Sequence, residues 1–174
     1  MNFLKNSIFS RRSGEEVPEQ VQENENQMLA VWGSPGSGKT TVAVKLAARL
    51  AMQKRDVALL LCDMNTPMLP CICPPGELEE ENEYTYPPYE RTQAEELLQC
   101  LRGVAPYIII DCGSYIANDI LSAIALMESD AVLRLVNCDL KSISYLSSQL
   151  PLLRESKWDA DKQYKIASNG RANE

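Results

Sequence analysis

The residues whose types and spacing carry chemistry lie together in Gly33-Ser34-Pro35-Gly36-Ser37-Gly38-Lys39-Thr40, followed by Thr41. The stretch fills the pattern G-x-x-x-x-G-K-[ST] at every fixed position. Glycines let a main chain curl until several N–H groups point inward at one phosphate, the lysine reaches outer phosphates, and the threonine hydroxyl suits a magnesium ion. The flanking residues are those such a loop requires. Met28 to Trp32, reading MLAVW, form a short apolar run of the kind a buried strand shows. Beyond the loop, Val42, Leu46 and Leu50 recur at helical spacing, with Lys45, Arg49 and Lys54 interleaved. A helix N-terminus favours an anion by its own dipole, so strand, loop and helix arrive in the order phosphate binding needs.

Those elements need a sheet to stand in. Asp56–Asp63 reads DVALLLCD and Tyr107–Asp111 reads YIIID, both continuous apolar runs ending in an acid, as strands buried on two faces of a parallel sheet do. Ala131–Asn137 makes a fourth strand and Tyr164–Ser168 a weaker fifth. Between them, a capping box of Thr92 with Glu95 starts a helix that Gly103 ends, Asn118–Met127 forms another, and Leu140–Leu150 a third that Pro151 ends or kinks. Alternating strands and helices predict an α/β domain with a mainly parallel sheet and its site at the strand C-terminal ends. Two acids then fall on the loop's edge of the sheet. Asp111 ends a hydrophobic strand, where a carboxylate reaches a phosphate-bound magnesium, commonly through water. Asp63 ends the strand after the first helix. The plainer role of either acid is to cap a neighbouring turn.

The whole composition bounds the rest. A chain of 174 residues, 45% hydrophobic, suits one domain with a real core. The net charge of −7 gives no bulk signal for nucleic acid. No apolar run approaches the ~20 residues of a membrane span, and no secretory leader is evident. The chain has no histidine, which removes the commonest general base. Its six cysteines (62, 71, 73, 100, 112 and 138) are scattered and read as reduced thiols of a cytoplasmic protein. Cys71-Ile72-Cys73 lacks the second pair a zinc site would show. Residues 1–27 hold Phe3, Leu4, Ile8 and Phe9 beside basic residues, then a polar stretch, and are expected to be a disordered tail. Residues 28–174 form the domain. Within it, residues 64–91, with six prolines and an acidic stretch, are expected to be a surface loop.

GSPGSGKTTVAVKLAARLA, VALLLCDMNTPMLP, YIIIDCGSYIAND, SDAVLRLVNCDLKSI and YKIASN, in that order, resemble the successive blocks of the ParA/MinD (CobQ/CobB/MinD/ParA) family of P-loop ATPases. The resemblance covers Met28 to about Asn169. It implies a P-loop NTPase, a Rossmann-like three-layer sandwich, whose Walker A loop from Gly33 to Thr41 binds ATP. It implies a Mg2+-dependent switch that dimerises with ATP and positions plasmids, chromosomes, division proteins or secretion machinery. On the family pattern Lys39, Asp63 and Asp111 carry catalysis, Thr40 and Asp111 hold the metal, and Asn169 reads the adenine. The protein partner is not named by any sequence feature.

Two departures shape the expected activity. The family's loop usually carries a second lysine that reaches across the dimer, and Ser34 stands in its place. A second acid usually follows two residues after the position of Asp63, and Asn65 stands there. The TadZ/CpaE-like members that localise secretion or pilus machinery also have altered loops, and the chain is similar to them in that respect. Slow turnover follows, and Ser34→Lys with Asn65→Asp is expected to speed it. Three readings stay open: a slow ATPase switch, a nucleotide-binding scaffold with little hydrolysis, and a small-molecule P-loop kinase. The third should show an arginine-rich lid.

Overall fold

The computed structural model describes residues 26–63, 89–153, 158 and 160–168. Five strands form one sheet: β1 (Gln27–Gly33), β2 (Val57–Leu61), β3 (Tyr107–Asp111), β4 (Ala131–Asn137) and β5 (Gln163–Ser168). All neighbours are parallel, in the order β2-β3-β1-β4-β5. Among the described residues four helices connect them: α1 (Lys39–Met52), α2 (Arg91–Val104), α3 (Ile120–Glu128) and α4 (Leu140–Leu153).

The layers follow from handedness. A parallel crossover is almost always right-handed, so the direction of travel along the sheet decides the face on which a helix lies. The step from β1 to β2 runs one way, and each later step runs the other way. Hence, among the described helices, α1 stands alone on one face. There Ala43 and Ala47 meet Val31, Ile109 and Leu135. The opposite face carries the other three helices, where Leu98, Leu121, Ile124 and Tyr145 pack on Met28, Ala30, Trp32, Ile108 and Ile110. Full burial of an Ile or Leu contributes about 1.5–3 kcal/mol. The alternation along β3, Ile108 and Ile110 to one face and Ile109 to the other, therefore fixes its register from both sides.

Local chemistry moves several expected boundaries. The first strand starts at Gln27, inside the expected tail, because Gln27 N–H donates to Pro106 O (2.9 Å) and Asn26 exchanges bonds with Arg102. The helix expected to start at Thr92 starts at Arg91, behind Glu90. The capping box is Glu90 with Gln93, whose Oε1 accepts from Glu90 N–H at 3.0 Å. Glu95 instead pairs with Arg91 at 2.7 Å. Gly103 does not end that helix, which runs on to Val104. The expected helix at Asn118 begins at Ile120, because Asp119 is the cap and its Oδ1 accepts from Ser122 N–H at 3.0 Å. Asn118 closes a short 3-10 turn instead. The last helix is not ended by Pro151 but continues to Leu153. The Pro-rich loop, expected to reach residue 91, gives way to helix at Arg91. The N-terminal Phe/Leu/Ile cluster, Asn65, the Cys71–Cys73 pair and Asn169 lie outside the described residues.

Candidate functional site

The phosphate-binding loop joins β1 to α1 at the centre of the sheet, beside the gap where the chain reverses direction. Its first residue is fixed by a close approach. A Cβ on Gly33 would lie 1.9 Å from Leu135 O of β4, and the next residue, Ser34, donates its N–H to the same carbonyl at 3.2 Å. Only glycine lets β1 and β4 stay paired as the chain turns out of the sheet. Gly38 caps α1 in the left-handed region at φ 83, which leaves the first helical N–H groups facing outward without a side chain over them.

Above the loop opens a cleft of about 740 Å3. Pro35, Gly36, Gly38, Lys39, Thr40 and Thr41 line it from the loop side, and Asp63 lines it from the end of β2. Ser114, Tyr115, Asn118 and Asp119 close it from the segment after β3. The reading of the sequence did not pick out those four. Their only signal was the irregular stretch following Asp111, which has no periodicity.

The charged groups are close-set. Thr40 Oγ1 donates to Asp111 Oδ2 at 2.5 Å. Lys39 is 8% exposed, and its ammonium donates to Ser114 Oγ at 2.7 Å and Ser34 O at 3.4 Å. Burial pushes the Lys39 pKa below its ordinary value, against the pull of Asp111 and Asp63. Burial pushes the Asp111 carboxyl above its ordinary value, while the Thr40 hydrogen bond and the Lys39 charge oppose the rise. Asp111 Oδ1 is buried with no hydrogen-bond partner, as is Ser37 Oγ. The thiols beside the site are inert. Cys62 and Cys112 are buried, and burial drives both above the ordinary thiol range.

Ser34 behaves otherwise than the sequence suggests. It is fully buried and does not face the cleft: its Oγ lies 3.0 Å from Ser142 Oγ on α4. A second tie joins the same elements, from Asn137 Nδ2 to Gly36 O at 3.3 Å. The loop is thus held from the β4–α4 side, and a lysine at position 34 would displace that packing rather than reach outward. The expectation that Ser34→Lys restores a missing charge is corrected on this ground.

The orphan oxygen tests the fit of a metal. A carboxylate oxygen buried beside a hydroxyl with free lone pairs is the donor set of a hard, hydrated cation such as Mg2+. The cluster of N–H groups and Lys39 suits phosphate. Among the described residues, no helix is long and apolar enough to cross a membrane.

No family model matches the chain. Among curated proteins it is similar to the signal recognition particle receptor FtsY of Rickettsia bellii, 40% identical over 60 residues, which is 34% of this chain and 20% of that protein. FtsY of Rickettsia felis is 43% identical over 51 residues, 29% of this chain and 17% of that one. The chain therefore spans about a fifth of the length of the curated relatives it matches. Solved structures are similar over most of the chain. The MinD cell division protein of Aquifex aeolicus has a TM-score of 0.56 at 21% identity, covering 80% of this chain and 68% of that one. A ParA family ATPase from Chlorobium tepidum has 0.59 at 14%, covering 85% and 76%. The kinase domain of the Escherichia coli tyrosine kinase ETK has 0.59 at 18%, covering 88% and 72%. An all-parallel five-stranded sheet with its loop at the chain reversal, shared over these lengths, is the P-loop NTPase fold in the form that MinD and ParA ATPases have.

Proposed function

We propose that the chain binds ATP with Mg2+ in the cleft above Gly33–Thr41 and acts as a nucleotide-dependent switch of ParA/MinD type in positioning or partitioning. The observation that carries the reading is Thr40 bonded to Asp111, with a buried carboxylate oxygen left unsatisfied, in the cleft that Lys39 also lines. Lys39 and the loop N–H groups would hold the phosphates. Thr40 and Asp111 would hold the ion, which when bound supplies positive charge against the phosphate oxygens. Asp63, on the cleft wall, stands where it can orient water.

The burial of Ser34 supports a slow enzyme or a scaffold with little hydrolysis. A cation supplied in trans is worth ~10³ or more in phosphoryl transfer. Ser34 offers none, and its hydroxyl is bonded to Ser142 inside the domain. The kinase reading has less support, because among the described residues no arginine lines the cleft. The MinD and ParA likeness also supports an ATP-dependent homodimer, with a protein partner of unknown identity. Calorimetry on Lys39→Ala is the test. ATP affinity should fall at least tenfold while the variant stays folded, and unchanged affinity would refute nucleotide binding at this site.

A further inference from the structure

The outer side of α3 carries a second hollow, apart from the cleft, of about 390 Å3. Ile116, Ile124 and Trp158 line it and are buried, so they form its floor. Ile120 and Met127, at the two ends of α3, line it as well, and Ile120 is 47% exposed. Among the described residues Arg91 is the one charged group on its wall, and Glu95 engages that guanidinium at 2.7 Å. The hollow is thus an apolar groove along a helix, open to water, of the kind that receives apolar side chains from another segment.

The chain supplies such a segment and tethers it at the right place. Arg102 donates from Nη1 to Asn26 O at 3.1 Å and from Nη2 to Glu128 O at 3.0 Å. One guanidinium therefore holds the start of β1 beside the last residue of α3, next to Met127 at one end of the groove. The residues before Asn26 begin from that point. Among them Phe3, Leu4, Ile8 and Phe9 include both phenylalanines of the chain. The intervening residues 10–25 span roughly 20–25 Å as a coil, whereas α3 from Ile120 to Met127 is about 12 Å long. The reach is ample. Residues 1–12 also hold Lys5, Arg11 and Arg12 and no acid, in a chain whose net charge is −7, and the exposed Glu128 stands at the tethered end. We propose that Phe3, Leu4, Ile8 and Phe9 seat in this groove in cis, with the three basic residues turned toward the acidic rim. The proposal goes beyond the nucleotide reading and does not depend on it.

Two readouts on the full chain test it. Trypsin cuts after Lys5, inside the apolar cluster. Only the undocked segment is open to it, so cleavage there should be at least about tenfold slower in the wild-type chain than in a free peptide of residues 1–12. Ile120→Gln, which takes apolar surface from the groove at an exposed site, should speed that cleavage at least about threefold, and Ile120→Leu should leave it unchanged. In the second readout the same peptide, labelled with fluorescein, is titrated by anisotropy. It should bind a full chain carrying Phe3→Ser, Leu4→Ser, Ile8→Ser and Phe9→Ser at least about tenfold more tightly than wild type, where the tethered segment competes at high effective concentration. Equal affinity for the two chains, or wild type cut as fast as the peptide, overturns the proposal. Protection that rises with protein concentration marks docking between copies, and protection that needs anionic lipid vesicles marks a membrane surface; either overturns docking in cis. Thermal unfolding checks each variant, and the peptide titration decides the matter even if Ile120→Gln fails to fold.

Discussion

The bond between Ser34 and Ser142 offers a test that reaches from packing to function. Both residues are buried, at 0% and 2% exposure, and their hydroxyls are 3.0 Å apart across 108 residues of sequence. Removing one hydroxyl leaves the other buried and orphaned, a cost of about 1–3 kcal/mol. For a chain of this length each kcal/mol moves the Tm by about 2–4 °C, so Ser34→Ala or Ser142→Ala alone should lower it by roughly 2–12 °C. The double variant removes both polar groups and should lose less than the sum of the singles. The coupling expected from urea denaturation of the four proteins is about 1 kcal/mol. The bond from the Ser142 main-chain N–H to the Asp139 carboxylate Oδ1, 2.6 Å, needs neither hydroxyl, so the cycle isolates the hydroxyls. Ser34→Lys is the functional arm. An ammonium buried at this place costs several kcal/mol, so that variant should be the least stable of the set and gain no ATP turnover. Additive single losses, within about 0.3 kcal/mol, would refute the bond. A stable Ser34→Lys protein that dimerises with ATP and hydrolyses it faster would refute the inward placement.

Two further perturbations probe the same loop. Gly33→Ala forces a Cβ to within 1.9 Å of Leu135 O, a main-chain atom that cannot turn aside. It should separate β1 from β4 and cost more than about 4 kcal/mol, the range of the severest single substitutions, seen as loss of the cooperative melt. Asp111→Asn should show a pH-dependent difference from wild type. The folded pKa of Asp111 is raised, so above the ordinary value of 3.8 the native state still holds a proton that the unfolded state has released. Wild-type stability relative to Asp111→Asn is therefore fullest below that value and declines as pH rises through the folded pKa. Chemical denaturation across the acid range would read it, and a difference independent of pH would refute the burial of the charge.

The strands were the part of the fold that the sequence disclosed best. YIIID is buried on both faces as its apolarity suggests, whereas VALLL, outermost of the described strands, is only half-buried, so an apolar run marked the strand without marking its place in the sheet. Helix starts were less plain because patterns overlap. Glu90-x-x-Gln93 and Thr92-x-x-Glu95 both satisfy a capping box, and only the three-dimensional entry of the chain decides between them. Ser114 and Asp119 were hidden for a different reason. They sit in an irregular segment where no period distinguishes a side chain facing the cleft from one facing solvent. The role of Ser34 could not be found by any local pattern, since its partner lies on the last helix. Periodicity also says nothing of which face each helix takes, although handedness supplies that once the strand order is known.

The electrostatics of the cleft narrow what can fill it. Lys39 and Asp111 are both buried, and burial displaces each pKa toward the neutral form while the opposite charge of the other resists the shift. An anion alone would answer Lys39 but bring like charge toward Asp111, with Asp63 on the same wall. A cation alone would answer the orphaned Oδ1 of Asp111 but repel the ammonium that Ser114 holds. Phosphate with a hydrated divalent ion, the ligand proposed for this site, carries both signs and would meet both groups. Each half then raises the affinity for its companion, and by thermodynamic linkage the factor is the same in both directions. The apolar sheet beneath, with Ile108 and Ile110 against one layer and Ile109 against the other, fixes the end of β3 from which Asp111 enters the site.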